Sequence, residues 1–344
     1  MPKPISFALL VAAGFAAILV GVSTAKADAV SEMASFSALG NVDLTQLAKT
    51  DVKTAHGPPM TSPRFLSVQS CYVVPRPPTK EIESLRQWNP TQHRELKVFL
   101  HADIPGSPAP ENFSRLSSAP DNASVRALAS KTEKLSADLQ ISQDEAKKFS
   151  AAGAAGAGRV MPAPVVSFWT NVLSARARAF SSGGSAAQPP YDHTGQAIRP
   201  NEELNGLLRQ QDKVRRQFSA FLGTTGIGRG AGAKPELYWE LLDVDGEGVV
   251  TLGASYNRAG SAGTYQAADT LYYASGGYYV TLTLYQMWPI VLEGRPSTLV
   301  WRGDFVSAPS LASLHGVERL ASESAMMKDI TKAVTLYRRD TSAR

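Results

Sequence analysis

Between residues 237 and 306, five β-rich runs follow one another with only short stretches between them. The runs cover residues 237–243, 248–256, 268–274, 278–287 and 297–306. Tight-turn sequences separate several of them, among them Asp245-Gly246 and Ser275-Gly276-Gly277. Because connections this short join antiparallel neighbours, the sequence predicts a five-stranded antiparallel meander.

A long helix is expected after the meander and closes the chain. Its apolar positions form one stripe, made of Val317, Leu320, Met327, Ile330, Val334 and Tyr337. A helix with such a stripe is expected to cover one face of the sheet.

The first ordered unit, residues 64–104, is predicted to be β-α-β. Residues 65–74 alternate, with Leu66, Val68 and Tyr72 on one side and Cys71 on the other, which predicts a half-buried strand. A helix is expected over 79–88 and a second strand over 95–102.

Residues 105–200 form a predicted helical section with linkers rich in Pro and Ser or in Ala and Gly. Ser142, with Glu145 three residues later, predicts a helix N-terminus. Linkers are expected at 151–158 and 181–190, and an amphipathic helix at 201–222 opens the last region, 201–344. Residues 28–63 carry little pattern.

The order of the predicted helices and strands along the chain indicates an α+β fold. A curved antiparallel sheet followed by a long C-terminal helix resembles, in element order, the helix-grip architecture of START-like lipid-binding domains. The helical insertion over 122–222 departs from that pattern.

The N-terminus has the layout of a secretory signal peptide over residues 1–27. Lys3 gives a positive start, residues 5–22 are almost wholly apolar, and Ala25-Lys26-Ala27 offers a cleavage site. The alternative is a retained membrane anchor at 5–22. We therefore expect an exported protein, periplasmic or extracellular, with no stable membrane span after cleavage.

Charge and cysteine content narrow the class of protein further. The chain has 35 Lys and Arg against 30 Asp and Glu, with scattered basic residues and no nucleic-acid motif, which argues against a nucleic-acid partner. The single cysteine, Cys71, allows no intramolecular disulfide and is expected to be a small buried hydrophobe.

Familiar catalytic and metal-binding motifs are missing from the sequence. The Gly-rich stretch 223–232 follows a predicted helix and precedes a strand, the reverse of a phosphate loop. His93, His101 and Asp103 lack metal-ligand spacing, and there is no G-x-S-x-G elbow. The acidic residues that could serve a hydrolase are Asp243, Asp245, Glu247, Asp269 and Glu293, and all of them are interpreted as turn or loop charges. The sequence therefore predicts no catalytic residue, metal ligand or cofactor.

Aromatic residues are the feature of the meander that points to a ligand. Seven of them are the candidate binding residues: Tyr238, Tyr256, Tyr272, Tyr279, Tyr285, Trp288 and Trp301. Such side chains suit a cavity, but they also favour strands and stabilise cross-strand pairs.

The expected function is the binding of an apolar or amphipathic small molecule between the aromatic sheet and the C-terminal helix. A secreted hydrolase, sensitive to Cys71→Ala or His101→Ala, is one alternative. A scaffold that docks another envelope protein through its sheet is the other.

Overall fold

A computed structural model describes residues 28–49, 51–150, 160–222 and 235–342, and it is built around one eight-stranded antiparallel sheet. The strands are β1 (Lys53–His56), β2 (Phe65–Val74), β3 (Val98–Ile104), β4 (Glu236–Val244), β5 (Glu247–Ala259), β6 (Tyr265–Ala274), β7 (Val280–Leu292) and β8 (Arg295–Ser307). Their order across the sheet is β1-β2-β8-β7-β6-β5-β4-β3.

Helices cover both faces of this sheet, so the fold is α+β as the sequence predicts. The helices are α1 (28–36), α2 (Leu44–Lys49), α3 (Pro78–Gln87), α4 (Ala123–Glu133), α5 (Gln143–Ala146), α6 (Ala163–Gly183), α7 (Pro200–Arg209), α8 (Asp212–Gln217), α9 (Ser219–Leu222) and α10 (Gly316–Ser342). Helices α3 and α10 pack on one face, called the α10 face. Helices α1, α4, α6 and α7 pack on the other, called the helical face.

The predicted meander is confirmed as β4 to β8, but it is only part of the sheet. Strands β2 and β3 do not pair with each other. Strand β2 pairs with β8, where Cys71 lies opposite Trp301, and β3 pairs with β4, where His101 lies opposite Glu240. The outer strands of a five-stranded meander expose unpaired backbone groups, and the two N-terminal strands satisfy them.

Strand β2 shows the alternation expected from the sequence, but the prediction that the strand is half-buried is wrong. All of its residues are buried. Val68 and Tyr72 pack on the α10 face, and Cys71 and Val73 pack on the helical face. Because helices cover both faces, neither side of β2 reaches solvent.

The prediction that the apolar stripe of α10 packs on the protein is confirmed for the second half of the helix and is wrong for the first half. Ile330, Val334 and Tyr337 are buried, whereas Val317 and Leu320 are 81% and 56% exposed. The first turns of α10 are held by polar contacts instead. Arg319 donates to the Pro63 carbonyl at 2.9 Å, and Glu323 lies 2.6 Å from His56.

Two other sequence expectations change in the structure. The predicted helix over 201–222 is three short helices, α7 to α9. The predicted linker 181–190 continues α6 and then forms a 3₁₀ turn, with Ser185 and Gln188 buried. Gln188 donates to the Arg176 carbonyl at 3.0 Å, which fixes this segment to α6.

The signal peptide, the alternative anchor at 5–22, the linker 151–158 and the Gly-rich stretch 223–232 lie outside the described residues. Within the described part of the chain, no helix combines the length and apolar character needed to cross a bilayer.

Candidate functional site

A cleft of about 500 Å³ lies on the α10 face, between the sheet and α10. Strands β2, β6, β7 and β8 form its floor, and the middle of α10 forms its roof. Its apolar lining includes Leu66, Leu271, Val306, Leu311, Met326 and Ile330. Its polar lining includes Asp245, Tyr278, Thr281, Thr283, Arg302, Asp304, Ser322 and Asp329. An apolar wall with a few convergent polar groups is typical of a small-molecule site.

The floor of the cleft contains a charged pair on β8. The Nε and Nη2 atoms of Arg302 donate to Asp304 at 2.8 and 2.7 Å, and Thr283 Oγ1 donates to the same carboxylate at 3.0 Å. Desolvation lowers the pKa of Arg302, but the charge of Asp304 outweighs it and keeps that pKa above its usual range. The pair is therefore polar yet electrically compensated.

A row of polar residues continues from this pair across the sheet. The register places Asp304 opposite Thr283 and Thr283 opposite Asp269. Burial raises the pKa of Asp269 to about 6, and a hydrogen bond from the Tyr238 hydroxyl, 2.7 Å long, opposes that rise. The pKa of Asp269 therefore lies about two units above its ordinary value of 3.8.

The row ends in a histidine and a glutamate on β3 and β4. His101 Nδ1 lies 2.9 Å from Glu240 Oε1. Desolvation lowers the pKa of His101, but the hydrogen bond and charge of Glu240 outweigh it, and the net pKa is raised. This contact orients the imidazole within the sheet surface.

The seven predicted aromatic residues are divided between the two faces of the sheet. Tyr238 and Tyr285 lie on the α10 face, beside Asp269 and Arg302 respectively. The other five lie on the helical face, away from α10: Tyr256, Tyr272, Tyr279, Trp288 and Trp301. The structure thus does not bring the seven together in one site.

Two of the aromatic residues on the helical face, Tyr272 and Trp288, attach helices to the sheet. Tyr272 stacks on Phe180 of α6 with ring centroids 3.8 Å apart. Trp288 Nε1 donates to Glu32 of α1 at 2.8 Å. Because strand residues alternate between faces, a run rich in aromatics contributes to both layers at once.

The main cleft residues missed from the sequence are Thr283, Arg302 and Asp304. Two charged residues, Arg302 and Asp304, lie two positions apart in the otherwise largely apolar strand β8. This pattern could have indicated the site from the sequence. Buried charges are rare unless they are paired, so charged residues inside a predicted buried strand indicate a candidate site.

Neither the thiol of Cys71 nor the imidazole of His93 lines the cleft. Cys71 is fully buried on the helical face, and burial raises the pKa of its thiol to about 12, so it is protonated at neutral pH. His93 lies 2.6 Å from Asp340 of α10 rather than beside His101. Across residues 28–49, 51–150, 160–222 and 235–342, no group of three or more His, Cys, Asp and Glu could hold a metal.

The chain was compared with protein families, with curated proteins and with solved structures. None of them matches it. The geometry of the cleft is therefore the basis for a functional proposal.

Proposed function

We propose that this protein is an exported binding protein that holds an amphipathic small molecule in the cleft between the sheet and α10. One observation carries the proposal: a cleft of about 500 Å³, lined by both apolar and polar side chains, lies under the C-terminal helix. Small-molecule sites in proteins have volumes of roughly 300–1,000 Å³, so the cleft is of suitable size.

The apolar part of the ligand would lie between two apolar surfaces. Leu66, Leu271 and Val306 come from the sheet, and Met326 and Ile330 come from α10. Filling this space removes apolar surface from water on both sides of the ligand, which is the main favourable term in such binding.

The charges that line the cleft favour a neutral or cationic head group over an anionic one. Arg302 is neutralised by Asp304. Asp245 and Asp329 lie near Tyr278, and neither carboxylate has an ion-pair partner among the described residues. The remaining charge of the lining is therefore negative, and it repels an anionic head group.

Export is supported by the signal-peptide pattern of residues 1–27. Ala29 and Met33 of α1, which follow the predicted cleavage site, are buried in the core. Cleavage after Ala27 would leave these contacts intact. The mass of the exported protein tests this point, because a mature chain that starts at Asp28 is expected.

The first experiment is native mass spectrometry of the exported protein before and after denaturation. A small molecule released on unfolding is the expected result. An empty mass together with a co-purifying protein would contradict the proposal and favour a scaffold.

A pair of tryptophan substitutions tests whether the cleft is the site. Ala321 and Ala325 are both exposed and lie one turn apart on α10, but only Ala325 lines the cleft. In a titration with the fluorescent probe N-phenyl-1-naphthylamine, Ala325→Trp should abolish saturable binding and Ala321→Trp should leave it unchanged. Equal binding by both variants would place the site elsewhere.

Head-group preference is measured with the same probe by competition. Dodecyltrimethylammonium and dodecyl maltoside should displace it at lower concentrations than dodecyl sulfate, all below their micelle concentrations. Asp329→Asn should narrow the difference between the cationic and anionic competitors, since it removes one of the uncompensated charges.

A further inference from the structure

A second cavity, of about 410 Å³, lies at the C-terminal end of α10, between its last residues, α3 and the loop that follows α3. It shares no lining residue with the cleft under the middle of α10. Its wall is almost wholly polar, since Pro75 and Trp88 are the apolar members of the described lining. Such a wall offers little to an apolar ligand and suits one that makes many hydrogen bonds.

The indole of Trp88 is a fixed aromatic surface in this wall. Its Nε1 donates to Asp340 at 3.0 Å, and the same carboxylate lies 2.6 Å from His93 Nε2. Its ring meets the Tyr337 ring edge to face, with centroids 5.6 Å apart. The side chain is still partly exposed. A ring that is held in place before a ligand arrives loses little conformational entropy on binding.

The other charged groups of the wall are paired within the protein. Arg76 Nε lies 3.1 Å from Oε2 of the buried Glu81, and Lys80 Nζ lies 2.9 Å from Glu83 Oε2. The described lining of this cavity therefore has no uncompensated charge that would select an ionic ligand, which favours a neutral one.

Amide groups are the polar groups that the wall leaves available. The side chains of Gln87 and Gln92 are exposed and make no hydrogen bond within the described part of the chain. Asn89 Oδ1 accepts from the Thr91 backbone amide at 3.0 Å, which fixes this side chain while its amide nitrogen stays available to donate. Because an amide both donates and accepts, it matches the hydroxyl groups of a ligand.

The wall continues past α3 into a neighbouring cavity of about 690 Å³, and the two cavities share Glu83 and Gln87. The neighbouring cavity adds the ion pair of Arg86 with Glu236, in which Nε donates at 2.8 Å, and it adds Asp103, which has no ion-pair partner among the described residues. Its extra charge is therefore negative and repels an anionic ligand. Together the two cavities form one groove, which suits a chain of several units.

We propose that this groove binds a neutral saccharide chain, with the Trp88 indole as the platform for one sugar ring. A pyranose ring has an apolar face of C–H groups, which packs on an indole, and a rim of hydroxyl groups, which amides bind. The groove lies apart from the cleft, so this function is additional to the binding of an amphipathic molecule and does not depend on it.

Trp88 is its own reporter, because it is the partly exposed member of the five tryptophans of the chain. The other four are buried: Trp169, Trp239, Trp288 and Trp301. Acrylamide should therefore quench Trp88 first. The probes are cellohexaose, maltohexaose, laminarihexaose and chitohexaose, and at least one should protect Trp88 from quenching in a saturable manner. Trp88→Phe should remove both the quenchable fluorescence and its protection. Absence of protection by all four probes overturns the proposal.

Three exposed glutamines test whether the amides hold the saccharide. Gln87→Ala and Gln92→Ala should each raise the dissociation constant of the protecting hexasaccharide about three- to tenfold, since each removes a hydrogen-bonding group from the groove. Gln46→Ala removes an exposed amide of α2 that lines neither cavity, and it should leave the constant unchanged. Equal constants for the three variants would place the saccharide elsewhere and overturn the proposal.

Two further comparisons test the charge and the separateness of the groove. Hexagalacturonate, an anionic chain of the same length, should protect Trp88 less than the neutral hexasaccharide does. Stronger protection by hexagalacturonate would contradict a neutral ligand. The neutral hexasaccharide should not displace N-phenyl-1-naphthylamine from the cleft, and displacement would contradict a second, independent site.

Discussion

Tyr238 of β4 donates a hydrogen bond of 2.7 Å to Asp269 of β6, although β5 lies between these two strands. The residue of β5 directly opposite Tyr238 is Gly253. A Cβ atom at Gly253 would lie 2.1 Å from the Tyr238 ring. The phenol thus reaches across β5 because that strand has no side chain at the crossing.

Gly253→Ala should therefore destabilise the protein. The added methyl group forces the Tyr238 ring away from β5, and overpacking of this kind costs about 1–3 kcal/mol. The measurement is the free energy of unfolding in urea. Gly276→Ala is the matched control, because its Cβ would have only Val249 Cγ2 nearby, at 3.9 Å. Equal stability of the two variants would show that the ring is not held by the glycine.

Tyr238→Phe should raise the pKa of Asp269 above its present value of about 6, since the lost hydrogen bond stabilises the charged form. NMR titration of aspartate carboxyl carbons measures this pKa directly. A midpoint that stays at about 6 or falls would contradict the expected effect of the hydrogen bond.

The carboxyl group of Asp269 also makes the free energy of unfolding depend on pH. The pKa of Asp269 in the folded state lies above its ordinary value of 3.8. Between pH 3.8 and about 6, the folded state therefore binds this proton more tightly than the unfolded state does. Its contribution to stability is full at low pH and decreases as pH rises through about 6. Asp269→Asn should remove this part of the decrease in urea-unfolding free energy.

A buried ion pair attaches α5 to α6, and breaking it should strongly destabilise the protein. The Nε and Nη2 atoms of Arg176 donate to Glu145 at 2.8 and 2.6 Å, and the guanidinium lies 4.3 Å from the Tyr273 ring centroid. Glu145→Gln leaves the fully buried Arg176 without a counter-ion, which costs about 3–5 kcal/mol.

Asp144→Asn is the control for this substitution, because it breaks the exposed pair of Asp144 in α5 with Lys147, the residue that follows this helix. It should cause no measurable loss in urea unfolding, since exposed ion pairs contribute little. A Glu145→Gln variant as stable as this control would mean that Arg176 is solvated after all.

Features set by neighbours in the sequence could be predicted. Ser142 and Glu145 form the expected capping box, with both backbone amides satisfied at 3.2 and 2.7 Å. The tight turns of the meander and the alternation in β2 also follow from local backbone and side-chain preferences.

Features set by distant residues could not be predicted. The pairing of β2 with β8 joins Cys71 to Trp301, and no local signal records it. Periodicity separates the two sides of a strand but does not say which helical layer each side meets. A register shift between Leu252 and Gly253 further places both Tyr272 and Tyr273 on the helical face.

The cleft depends on the same long-range information. Leu66, Arg302 and Ile330 line it from β2, β8 and α10. Only the position of the helix over the sheet brings them together, and element order alone does not fix that position.

The two halves of the α10 stripe give a final prediction. Ile330 is 6% exposed and packs in the core of the α10 face, whereas Leu320 is 56% exposed. Ile330→Ala removes buried methyl groups and leaves a cavity, so it should lower the free energy of unfolding by about 2–5 kcal/mol. Leu320→Ala should change it by less than about 0.5 kcal/mol, as is usual for surface positions. Urea unfolding of both variants checks the difference. Equal losses would mean that Leu320 is packed in solution and that the whole stripe, as the sequence predicts, faces the protein.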